Sequence, residues 1–177
     1  MRIIAAAFLS ASIFAAGCVL GPSSHKGVIG YRPGVVFLKH NQTYRVGILP
    51  DGWERTHPPV RTISFYNPSL RSSIATDAYC GKSVGERRLE TLGGEIISAF
   101  DDRHMQSETK FDLDGRGALR QRVSGKEDGV PVVVDLVIVK KDGCVFDMYA
   151  VMPPDADPAA TADFEAFYGE FHYEAAR

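Results

Sequence analysis

Two acids stand where carboxylates are costly. Asp135 interrupts the apolar run Val130 to Val139, and Asp147 interrupts Cys144 to Met152. A buried carboxylate has to be paired, hydrogen-bonded or protonated. Both are therefore candidates for a ligand contact in a pocket or for a structural tie. Asp101-Asp102-Arg103-His104, with Asp112 and Asp114 nearby, has the composition of a cation site. Metal ligands must converge, however, and Arg103 stands among them. A solvated loop after a helix is expected there, with no metal. His25, His40, His57, His104 and His172 share no spacing. His-Glu-x-x-His, the Walker loop and the dinucleotide fingerprint are all missing from the sequence. No catalytic residue and no cofactor are expected. Arg116, Arg120, Arg122 and Lys126 form a basic strip that could meet anionic headgroups or an acidic partner, against the plainer reading of a solvated sheet face.

The three cysteines divide the chain. Behind Arg2, residues Ile3 to Ala16 carry no charge, and Gly17-Cys18 follow. This stretch is shorter than the roughly 20 residues of a membrane-spanning helix and suits the apolar part of a secretory signal. Ala15-Ala16-Gly17-Cys18 resembles a bacterial lipobox, with Ala15 in place of the usual leucine. An ordinary signal peptide or a hydrophobic N-terminal helix is the competing reading. The favoured expectation is a signal peptide over 1–17 and lipidation of Cys18. The chain would then sit in the bacterial envelope, facing the periplasm, from the outer rather than the inner membrane. Each buried CH₂ of an acyl chain contributes about 0.8 kcal/mol, so several chains anchor firmly where one does not. Gly21 to Gly34 is rich in Gly, Pro and Ser, giving a flexible tether over 18–34 with a mean reach of roughly 20 Å. A single domain is expected over 35–177.

Cys80 and Cys144 then remain as an even pair in an oxidising compartment. A disulfide between them closes a loop of about 65 residues and stabilises by about 4 kcal/mol in the chain-entropy model. Two buried thiols are the alternative.

Composition excludes several classes. The chain has 177 residues, with 20 Lys+Arg against 22 Asp+Glu and a formal charge of -2. That length suits one domain. Near-neutral charge argues against a nucleic-acid partner. Ten Phe, seven Tyr and one Trp, with 24% charged residues, exclude a disordered chain.

The positioning elements read as strands, helix, strands, helix. Tyr44, Val46 and Ile48 alternate as a half-buried strand, and Thr62 to Tyr66 and Ser72 to Cys80 follow across the turn at Asn67-Pro68-Ser69. Ser83-Val84-Gly85-Glu86 matches a capping box, and Leu89, Leu92, Ile96 and Phe100 form one apolar stripe behind it. Asp114-Gly115, Asp128-Gly129 and Asp142-Gly143 are hairpin signals fourteen residues apart. Parity treats the first differently. A bend at Gly115-Arg116-Gly117 within one long strand keeps Arg120 and Arg122 off the face of Phe111 and Leu113. Asp157-Pro158 opens a last helix, whose Phe164, Phe167, Tyr168 and Phe171 read as core.

This order, with Leu113 to Leu119, Glu127 to Val132, Lys140 to Asp147 and the Phe164-x-x-Phe167 helix, resembles uncharacterised proteobacterial envelope lipoproteins with a Mog1/PsbP-like fold. The resemblance implies an α+β fold, an antiparallel β-sheet flanked by two main helices. It also implies a non-catalytic protein-binding or assembly factor with an unidentified envelope partner. The alternative is a small-ligand or lipid-binding module with a cleft between sheet and helix.

Overall fold

The structure, a computed structural model, describes residues 27–58, 62–81 and 86–175. Cys18, the apolar leader and Ser83 to Gly85 lie outside the described residues. The main sheet is antiparallel: β4 (Glu54–Thr56), β5 (Ile63–Asn67), β6 (Ser72–Cys80), β10 (Cys144–Met152), β9 (Val130–Lys141), β8 (Arg116–Glu127) and β7 (Asp101–Leu113), in that spatial order. A smaller antiparallel sheet runs β1 (Val28–Arg32), β2 (Val35–Leu38), β3 (Thr43–Arg45) and β11 (His172–Glu174). Helix α1 (Leu89–Ile97) packs on one face of the main sheet, with Leu92, Ile97, Val123, Leu136, Ile138 and Val145 forming a buried cluster. The opposite face carries the main core, closed by α2 (Pro158–Gly169) and the inner face of the small sheet.

Local chemistry accounts for these elements. Asp157 caps α2, its Oδ1 accepting from the Ala159 amide at 2.9 Å, with Pro158 in the first turn. Phe164, Phe167 and Phe171 are then fully buried, each contributing roughly 1.5–3 kcal/mol. Helix α1 starts at Leu89, later than the capping box implies, and the Arg88 side chain at its N-cap does not cap it. Gly93 has a packing role, because a Cβ there would lie 2.3 Å from Gln121 Oε1 and the glutamine side chain would have to move. Its missing side chain lets α1 approach β8.

Two expectations are corrected. Val28 to Arg32, assigned to the tether, is strand β1, so the ordered domain includes residues before 35. Val28 is buried, and Gly34, with φ of 75°, closes the hairpin to β2. Glycine-rich composition concealed a paired strand. The second correction concerns Asp114-Gly115, which is a true hairpin turn with Leu113 opposite Arg116. Asp114, Asp128 and Asp142 have φ of 53°, 49° and 51°, each followed by a left-handed glycine. The parity reading assumed that Arg120 and Arg122 must avoid the Leu113 face. They share it, because Asp135 supplies a counter-charge within that layer.

Candidate functional site

Asp135 is completely buried on β9, directly opposite Arg122 of β8. Arg120 grips it with two parallel bonds, Nε to Oδ1 at 2.9 Å and Nη2 to Oδ2 at 2.7 Å. Arg122 adds a third to Oδ2 at 3.2 Å. Arg120 Nη1 continues to Glu165 Oε1 at 2.8 Å and the Tyr168 hydroxyl at 3.0 Å, both on α2. Bidentate charge-assisted pairing of this kind is strong and orients both partners. The cluster holds two cations and two acids, so it is balanced in charge and ties α2 to the sheet.

Asp147 faces the other side of the main sheet. Across the β6–β10 ladder it is directly opposite Asp77, and both are 2% exposed. Asp77 Oδ2 accepts from Thr62 Oγ1 at 3.0 Å and from the Tyr79 hydroxyl at 3.3 Å, and its Oδ1 accepts from the Ala78 amide at 2.9 Å. Burial, then the charges of Asp147 and Asp77, push the Tyr79 phenol well above its ordinary value. It stays a neutral donor at any physiological pH. The backbone carbonyl of Asp147 accepts from Thr76 Oγ1 at 3.0 Å, and Thr76 Oγ1 is 2.9 Å from the buried Tyr44 hydroxyl. Asp77 was not singled out from sequence, although it breaks the strand Ser72 to Cys80 just as Asp147 breaks its own.

The sulfur chemistry is settled for two cysteines. Cys80 and Cys144 form a disulfide and are directly opposite each other on β6 and β10. Cys144 Sγ lies 3.8 Å from the Tyr173 hydroxyl of β11, so the bridge sits under the small sheet. Cys18 lies outside the described residues. Asp101, Asp102 and His104 fall on β7, an exposed edge strand rather than a loop. Asp102 pairs with Lys126 at 2.7 Å. Asp114 accepts from Lys141 Nζ at 2.5 Å and the Tyr173 amide at 3.0 Å, and lies 2.8 Å from His172 Nδ1. Burial works against its charge, yet the Lys141, Tyr173 and His172 contacts outweigh that and hold the carboxyl below its ordinary value.

The basic strip is therefore neutralised: Arg116 meets Asp142 at 3.4 Å, and Arg120, Arg122 and Lys126 have the partners above. A groove of about 390 Å³ runs between β1 and the β4–β5 edge, lined by Ile29, Arg55, His57, Pro58 and Ile63 among others. Arg55 lies 5.0 Å over the Tyr31 ring, and its buried Nε finds no acceptor among the described residues. The space between α2 and the sheet is filled instead by Phe146, Met148, Phe164 and Phe167.

No family model and no curated protein matches this chain in sequence. Solved structures resemble it in shape. LpqN of Mycobacterium tuberculosis, described as involved in cell envelope biogenesis, is 12% identical at a TM-score of 0.56, over 80% of this chain and 90% of its own. A Bacteroides thetaiotaomicron protein is 14% identical at a TM-score of 0.54; the match takes in 75% of this chain but only 45% of that longer one. The cyanobacterial PsbP of Synechocystis sp. PCC 6803 is 14% identical over 90% of this chain and 99% of its own, at a TM-score of 0.49. The chain has the expected α+β fold, an antiparallel sheet with a helix on each face, and shares that fold with LpqN.

Proposed function

We propose that this chain is a bacterial lipoprotein, acylated at Cys18 and facing the periplasm from the outer membrane. Its domain binds or helps assemble a protein partner of the envelope and catalyses no reaction. The observation that carries the reading is the allocation of cysteines. The Cys80–Cys144 disulfide takes two of three and suits an oxidising compartment. The third stands at the end of an uncharged leader, behind two alanines and a glycine. The description of LpqN supports the envelope as the place. The non-catalytic role is supported by how the buried acids are used: Asp135 and Asp77 bind the protein's own side chains. The filled space beneath α2 speaks against a ligand cleft between sheet and helix.

Two experiments test this. Cys18→Ser should abolish incorporation of a fatty-acid label, and undiminished labelling would remove the lipoprotein reading. In-cell cross-linking of the full chain should recover an envelope protein that an unrelated lipoprotein control does not. Recovery no better than the control would sink the binding role.

A further inference from the structure

Charge is distributed unevenly along the chain. The first fifty residues contain five Lys+Arg and no acid, so the remainder holds 15 against 22. Within the described residues, the basic stretch builds β1, β2 and β3, three of the four strands of the small sheet. Its inner face (Val36, Tyr44 and Tyr173) belongs to the core. The register places Arg32, Val35, Arg45 and His172 side by side in one row on the outer face, with Phe37 in the next. Arg32 stacks on the Phe37 ring at 5.5 Å, and Lys39 follows β2 directly. Among the described residues, Arg32, Lys39 and Arg45 make no ion pair, in contrast to the whole β8 strip. The acid on this face is Glu174, 3.6 Å from His172 Nε2. Apolar side chains flank the cations: Ile29 is 57% exposed, and Ile48, 70% exposed, lies against the β1–β2 turn at Gly34.

We propose that the outer face of the small sheet lies against the anionic phospholipid headgroups of the membrane that holds the chain, with Arg32, Lys39 and Arg45 as the contacts and Ile29 and Ile48 dipping into the interface. This rests on the anchor at Cys18, and the chain length supports it. Cys18 stands nine residues before Gly27, a separation that covalent geometry limits to about 32 Å in any conformation. Gly27 accepts from the Lys39 amide at 2.9 Å, so the chain enters the domain at this basic surface. The negative surface potential extends about one Debye length, roughly 8–10 Å. A connection that short holds the three cations nearer that layer than the β8–β9 turn, which is about 40 Å further away along the 12 residues of β9 at 3.3 Å per residue. The anchor alone would leave orientation free. The charge asymmetry removes that freedom.

The test uses the acylated full chain in vesicles of phosphatidylcholine, alone or with phosphatidylglycerol. One preparation carries benzoylphenylalanine in place of Phe37, a second in place of Val130 at the far end of the strands. Illumination should give lipid adducts at position 37 that rise at least tenfold with phosphatidylglycerol, and few at position 130. Each cation near an anionic surface is worth about fivefold, so Arg32→Gln, Lys39→Gln and Arg45→Gln together should cut the adducts roughly 100-fold. About 1 M salt, where the Debye length is near 3 Å, should act similarly. Equal labelling at position 130, or indifference to phosphatidylglycerol or to the triple variant, overturns the proposal. So does a protein adduct at position 37 in intact envelopes. Retention through an alkaline wash is scored separately: a chain that washes off yet still labels phosphatidylglycerol at position 37 overturns the anchor and leaves this surface standing.

Discussion

On β8, Arg116, Arg120, Arg122 and Lys126 all reach an acid, and the strip is spent on the fold. Arg32, Lys39 and Arg45 of the small sheet share their surface with Glu174 and pair with nothing among the described residues. Both regions are basic in sequence, yet only one carries charge available to a partner. The difference lies in the neighbouring strands. β7, β9 and α2 bring Asp102, Asp135 and Glu165 to β8, whereas β1, β2 and β3 come from an acid-free stretch and β11, beside Arg45, adds Glu174 alone. Positive residues in a sequence report a binding surface only after the acids of adjacent elements have been placed.

The comparison can be broken in four places. Replacing Cys80 and Cys144 together with Ala should lower stability by about 4 kcal/mol, since the bridge closes a loop of 64 residues in separation. Hydrogen exchange should rise first in β11 and β3 above the bridge, and less in β8; a uniform rise would mean the two regions share one bed. Asp135→Ala leaves Arg120 and Arg122 competing for Glu165, and should cost about 3 kcal/mol in chemical denaturation. A loss under about 1 kcal/mol would show that the strip is solvated rather than structural.

Asp114 ties the β7–β8 turn to β11 and gives a pH signature. Its folded carboxyl sits below the ordinary range, so its contribution is present above the unfolded value of about 3.9 and is lost as pH falls through the folded one. Asp114→Asn should cost about 2 kcal/mol near neutrality. The gap to the parent should narrow below about pH 4, and a gap constant with pH would contradict the assignment. Arg32→Gln and Arg45→Gln should change stability by less than about 0.5 kcal/mol each. A larger loss would place these residues in the fold rather than at a surface held for a partner.

Elements with a strong local signature could be read without the structure. β6 coincides with Ser72 to Cys80, the cap at Asp157 and the burial of Phe164 and Phe167 stand as expected, Phe171 is buried just past the end of α2, and Cys80 and Cys144 are bridged. The misreadings needed information from across the sheet. β1 lacks an alternating pattern because Gly30 and the bulge after Val28 break it. Asp101 to His104 carries no apolar face, being exposed on both sides at the sheet edge, and so reads as a loop. Two arginines beside Leu113 argue against a hairpin at Asp114 until Asp135 is placed opposite Arg122. Asp135 and Asp147 could be recognised as costly. Their companions Arg120 and Asp77 depend on register, which no single strand reveals.

The central claim is that Cys18 anchors this domain to a membrane, and the mass of the N-terminal peptide of the mature chain tests it most directly. The chain is predicted to begin at Cys18, with a diacylglyceryl group on the sulfur and an acyl group on the new amino terminus. A mature chain that begins elsewhere, or at an unmodified Cys18, would contradict the account.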